Sequence, residues 1–213
     1  MIHSQAWAWV TLFLLGAYHG INPAMGWLFA VSLGLQKQSG RAVWQALLPI
    51  AAGHVFAIVL VILVAVLAGA VLPLHIMKIV VAIVLFGFGV YRLVGKSHPH
   101  WGGGMQVGFS DLTVWSFLMA SAHGAGFMLL PVLLGMSAMN SGHEMHAMKL
   151  PGIGAQLLAI SVHTLGYLVL TGAIAGAVYK WLGLSLLRKA WFNLDLIWAI
   201  ALIATAALTL LLT

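Results

Sequence analysis

Long apolar runs separated by short polar segments make up most of the chain. The runs lie near residues 6–35, 42–71, 73–95, 111–137, 151–180 and 185–212. Each reaches or exceeds the ~20 residues needed to cross the hydrocarbon core of a bilayer. The pattern therefore predicts an all-α membrane protein with six transmembrane helices. The alternating segments of about 10 residues that mark a transmembrane barrel are missing from the sequence. The first run is too long for one straight crossing and is interrupted at Asn22-Pro23. Proline has no N–H, and its ring clashes with the carbonyl four residues back, here that of His19. The sequence thus predicts a first helix broken at Asn22-Pro23. His19, just before the break, would offer its ring and a freed carbonyl. Asn22 would cap the resumed half-helix, with Pro23 at its first position.

The break has an echo. Ala17-Tyr18-His19-Gly20 matches Ser121-Ala122-His123-Gly124, and the following span of each half carries one more histidine, His54 and His163. The two offsets are 104 and 109 residues, about half the chain. Three spans per half is an odd number, so the halves must be oppositely oriented. That is a 3+3 inverted repeat, with repeat 1 over 6–95 and repeat 2 over 111–212, in one transmembrane domain of residues 1–213. Many secondary transporters share this plan, with the substrate site at the bilayer midplane.

Composition strengthens the membrane assignment. The chain is 63% hydrophobic and 6% charged, against roughly 25% charged residues in soluble domains. Nine Lys and Arg face three acids, and their placement argues for topology rather than nucleic-acid binding. Lys37, Arg41, Lys180 and four further bases (Arg92, Lys96, Arg188, Lys189) fall in or beside odd-numbered loops. Only Lys78 and Lys149 fall on the other side. The positive-inside rule then puts the odd loops in the cytoplasm and both termini outside, as in a bacterial inner-membrane protein. Tryptophans near the span ends fit interfacial anchors. There is no cysteine, so disulfides and thiolate metal sites are excluded. The N-terminus lacks a basic region before its apolar run and does not read as a cleaved signal peptide.

Counting from the span ends puts His19, His54, His123 and His163 at one depth, about 18 Å into a ~30 Å core at 1.5 Å per residue. Any one of them could simply hydrogen-bond a neighbouring helix. Four at one level, two per repeat, point instead to a shared polar site. Neutral imidazole is the commonest metal ligand and suits copper, nickel, iron and zinc. His19, Asn22 and Met25 are spaced three apart, so a helical face would add an amide and a thioether to the set.

The stretch HGINPAMGW, with the following SLGLQKQSGRAVWQALLPIAAGHVFAIVLV, resembles the first half of the nickel/cobalt transporter superfamily, especially its NicO-type exporters. The resemblance covers residues 14–65, and the second half is matched only through the repeat. It keeps His19 and Pro23 of the family motif, and His54 matches the later histidine. Asn22 stands where the uptake members have an aspartate, and Met25 where a second histidine is usual. The resemblance implies transport of a transition-metal cation with these residues as ligands. With the carboxylate gone, a divalent cation among neutral imidazoles is expensive at the midplane. A softer ion such as copper, which methionine and histidine suit, needs less compensation. Asp195 in the last span is a candidate for the missing charge, or else a partner of Arg188 or Lys189. In the fourth loop, His143, Met145, His146 and Met148, with Met136 and Met139 before them, form a Met/His-rich tract of the kind that gathers metal ions, or a flexible loop with incidental methionines. His98 and His100 form a weaker tract on the inner side.

Two other classes compete. A haem held between histidines of different helices would make the chain an electron-transfer subunit. Broken-helix N-termini facing the substrate would suit an anion exporter. The Asn-Pro-Ala box of aquaporins is matched once only, with no arginine near His123. No nucleophile-base-acid set appears, so the chain does not read as an enzyme. The expected partners are the lipid bilayer and a metal-ion substrate, with no nucleic acid, and a homo-oligomer is compatible with the sequence.

Overall fold

The computed structural model describes residues 2–69, 76, 79–84, 86–87, 90, 108–140, 151–182, 200, 203–204 and 207. Six helices are complete among them: α1 (Ile2–Ile21), α2 (Trp27–Gln36), α3 (Gly40–Gly69), α4 (Phe109–Ala122), α5 (Ala125–Asn140) and α6 (Ile153–Ala177). No strand occurs among the described residues. A π-helical turn, Val178–Leu182, extends α6. Two helices, Gly40–Ala68 and Ile153–Trp181 with that turn, are long and apolar enough to cross a membrane; α4 and α5, bent by 56° at their junction, make a third if counted as one span. The expected 73–95 and 185–212 spans fall largely outside the described residues.

The expected first span, 6–35, is broken where the sequence predicts: α1 ends at Ile21 and α2 begins at Trp27. The sequence explains the separation. Asn22 is the N-cap of a 3-10 turn, Pro23–Met25, with Pro23 at its first position, and its Oδ1 accepts the Ala24 N–H at 2.9 Å. Gly26 then adopts φ 137°, a conformation that side chains strongly disfavour, and α2 starts at Trp27. The second break, at His123-Gly124, turns through Gly124 at φ 68°.

Backbone groups freed by a break inside an apolar medium must find partners within the protein. Here large side chains supply them. Trp27 Nε1 donates to the Ile21 carbonyl at 2.9 Å, Trp115 Nε1 to the Ala24 carbonyl at 3.3 Å, and the Tyr167 hydroxyl to the Met25 carbonyl. The His19 carbonyl, expected to be free, accepts the Asn22 N–H at 3.3 Å. The 3-10 geometry of the turn redirects that N–H to it.

The most extensive helix pairs are α1 with α6 and α3 with α4. Small residues let the first pair approach closely, as they do between membrane helices. A β-carbon on Gly16 would lie 3.0 Å from the Tyr167 nitrogen, and one on Gly166 3.1 Å from the Ala17 nitrogen. The two helices run parallel: Leu12 lies against His163, and Gly20 against Tyr167 and Thr171. The other side of α3 exposes Leu48, Phe56, Leu60, Leu63, Val64 and Leu67. An apolar face of that extent suits hydrocarbon rather than water. At one end of the bundle the Tyr179 ring packs against Gly34 and Gly40. That contact gathers Lys37 at the end of α2, Arg41 in the first turn of α3, and Lys180.

Candidate functional site

His19 sits in the last turn of α1, His54 near the middle of α3 and His163 near the middle of α6. All three are fully buried. Their ring centroids are 5.6 Å apart for His19–His54, 5.1 Å for His19–His163 and 5.5 Å for His54–His163. These three rings therefore come together, delivered by three helices that meet where α1 breaks.

Hydrogen bonds orient the rings. His19 Nδ1 donates to the Leu15 carbonyl at 2.7 Å, and His163 Nδ1 to the Leu12 carbonyl at 3.2 Å. A neutral imidazole has one N–H, so in both residues Nε2 carries the lone pair. His163 Nε2 is buried without a hydrogen-bond partner, and neither ring nitrogen of His54 has one. Orphaned polar atoms at such depth are costly. They mark the place where a ligand has something to gain.

His123 is engaged differently. Its Nδ1 donates to the Met119 carbonyl at 2.8 Å, and its Nε2 accepts from Asn22 Nδ2 at 3.2 Å. The amide is oriented by the bond between Asn22 Oδ1 and the Ala24 N–H, so the direction of the whole chain of bonds is fixed. Asn22 and His123 tie the two breaks together, and in this arrangement one lone pair of the Asn22 oxygen and that of His123 Nε2 are already used. Met25, also expected in the site, is buried, with its carbonyl held by Tyr167. Met136 and Met139 belong to α5 rather than to a loop, since the helix continues to Asn140, and Met136 is part of the core. His143, Met145, His146, Met148, Asp195, His98 and His100 lie outside the described residues.

Sequence reasoning passed over Tyr167. Its ring stacks on His54 at 4.1 Å between centroids and 13° between planes, and it is fully buried. Its spacing from His163 was a usable signal, because residues four apart share a helix face. Ser116 of α4 and Thr171 of α6 flank its hydroxyl. Ser116 donates to the Ile50 carbonyl at 2.6 Å, and the fully buried Thr171 hydroxyl lies beside that of Tyr167.

The arrangement buries three neutral imidazoles in mutual contact away from water. Among the described residues, no group of three or more His, Asp or Glu side chains is placed so that it could hold a metal ion. His54 and His163 are parallel to within 4°. Comparison of the chain with protein-family models, with curated proteins and with solved structures gives no match.

Proposed function

We propose that the chain carries a transition-metal cation across a membrane, with His19, His54 and His163 as the ligands that hold it in transit. The observation that carries this reading is the pattern of ring nitrogens: Nδ1 held by backbone carbonyls at His19 and His163, and two ring nitrogens without hydrogen bonds at His54. Metal-ligating histidines characteristically donate their other N–H to a carbonyl in this way.

The spacing supports it. With a metal 2.0–2.1 Å from each ring nitrogen in tetrahedral geometry, imidazole centroids come to lie about 5.3 Å apart. The three separations of 5.1, 5.5 and 5.6 Å bracket that value. Closing the site then requires rotation of rings about their side-chain torsions, with the helices where they are. Neutral rings whose Nε2 atoms carry lone pairs at His19 and His163 favour a cation over an anion. Three rings in mutual contact, with Tyr167 against the face of His54, favour an ion over a haem.

The transporter reading includes the six-span inverted repeat, which local details support. His19 bonds the Leu15 carbonyl as His123 bonds that of Met119, four residues back in each case. Gly53 packs on Thr113 and Phe117, and Gly166 on Phe13 and Ala17. Shifted by the repeat offsets, the first contact falls one helical turn from the second, in the same register. The parallel course of α1 and α6 agrees with both entering from the same side. Lys37, Arg41 and Lys180, at one end of the bundle, agree with a cytoplasmic end and outward termini in a bacterial inner membrane.

Purified protein in liposomes that enclose a metal-responsive dye tests the function. Nickel, cobalt and copper(I) are offered in turn, and flux of at least one is expected, abolished by His54→Ala. Empty-liposome rates for all three would remove the proposal.

A further inference from the structure

α6 presents His163, Tyr167 and Thr171 on successive turns of one buried stripe. The repeat places His54, Ile58 and Ile62 of α3 at the corresponding positions, and these are buried too. The histidines match, but the two residues beyond each histidine do not: a phenol and a hydroxyl on one side, two isoleucines on the other.

The helix directions turn this into an axial asymmetry. α6 runs from His163 towards Lys180, so Tyr167 and Thr171 lie on the basic side of the histidine cluster. α3 begins at that same basic end, so Ile58 and Ile62 lie beyond His54 on the opposite side. Leu12 and Ile160, which precede His19 and His163 on the parallel helices α1 and α6, join them there, both buried. Towards the basic end the cluster therefore meets polar groups: Tyr167, Thr171 and Ser116. Towards the other end it meets only aliphatic side chains among these positions. Thr171 is about 13.5 Å from Lys180 along the helix at 1.5 Å per residue, and its hydroxyl is fully buried beside that of Tyr167. A β-carbon on Gly20 would lie 3.0 Å from that hydroxyl, so Thr171 faces α1 one residue past His19.

Tyr167 stands between. Its ring holds His54 parallel to His163, and its single proton is committed to the Met25 carbonyl in the α1–α2 break. Rotating His54 towards an ion disturbs that stack. The hydroxyl carries the disturbance to the turn that separates α1 from α2.

We propose that, in this conformation, a transition-metal cation exchanges with the histidine cluster only from the basic end, along Thr171, and that Tyr167 is the gate on that route. The proposal rests on reading the cluster as an ion site.

The chain has no cysteine, so single-cysteine variants of the full protein report unambiguously. Thr171→Cys and Ile62→Cys are prepared in membrane vesicles of both orientations and treated with a membrane-impermeant thiosulfonate. Thr171→Cys is expected to react from the basic side at least about tenfold faster than Ile62→Cys from either side, and nickel is expected to slow it. Equal reactivity, preferential reactivity at position 62, or no reaction at either position overturns the one-sided route. Tyr167→Phe keeps the stack and loses only the bond to Met25. Its equilibrium nickel affinity is expected to stay within about threefold of wild type, while downhill nickel flux rises at least about fivefold. Unchanged flux, or a loss of affinity that accounts for the change, overturns the gate. Labelling of Thr171→Cys that nickel does not slow, in protein that binds no nickel, would leave the route standing and remove the ion site.

Discussion

Replacing His54 by leucine separates a residue kept for packing from one kept for a ligand. The two side chains are similar in volume, and the ring is fully buried with both nitrogens unpartnered. Leaving a buried polar group unsatisfied costs about 1–3 kcal/mol, and leucine removes that cost. Leucine also gives up the stack on Tyr167, worth about 0.5–1.5 kcal/mol for an aromatic pair. The balance leaves the ion-free variant between roughly equal in stability and ~2.5 kcal/mol more stable. Ion binding works in the opposite direction. At an ion concentration 100 times its Kd, wild type gains about 2.7 kcal/mol, and the variant gains nothing. Thermal unfolding in detergent, with and without nickel or copper(I), reads both effects. A variant that loses about 2–5 kcal/mol without ion, as a truncated core residue does, and is still stabilised by ion, would refute the reasoning.

The same geometry fixes the outcome of other perturbations. Asn22→Ala removes a helix cap worth about 1 kcal/mol and the buried hydrogen bond to His123 Nε2, so a loss of about 2–4 kcal/mol is expected in the same unfolding assay. Gly166→Leu drives a side chain into the Phe13–Ala17 backbone, and little folded protein is expected by size-exclusion chromatography. Met25→His restores the histidine of the resembled transporters, and competition titrations are expected to show a shift towards nickel or cobalt over copper(I). Reporters fused after Thr213 and near Ser97 are expected to read extracytoplasmic and cytoplasmic, respectively, in an inner membrane.

The sequence made the break at Asn22-Pro23 legible because its causes are local. A proline lacks an N–H, and an asparagine caps the turn after it, whatever surrounds them. The meeting of His19, His54 and His163 was legible by counting residues, since helical rise is constant. Rotation about the helix axis is not given by depth. For that reason the bond from Asn22 to His123 Nε2 was not legible, and the His19 carbonyl, expected free, is taken by a backbone N–H. The separation of α1 from α2 turns on Gly26, one glycine among twenty-four in the sequence, and nothing in its neighbourhood advertised a positive φ. Tyr167 went unnoticed because a tyrosine in an apolar span reads as an interfacial anchor until the helix opposite it is known. The asymmetry between Tyr167–Thr171 and Ile58–Ile62 was present in the repeat alignment, but its direction needed the parallel packing of α1 and α6.

The most direct test of the ion site is X-ray absorption at the metal edge of protein loaded with one equivalent of nickel, beside His54→Ala and His163→Ala prepared in the same way. The account predicts imidazole scattering from two or three rings in wild type, one fewer in each variant, and ligand distances of about 2.0–2.1 Å. A shell of oxygen ligands alone, or a spectrum unchanged in both variants, would contradict it.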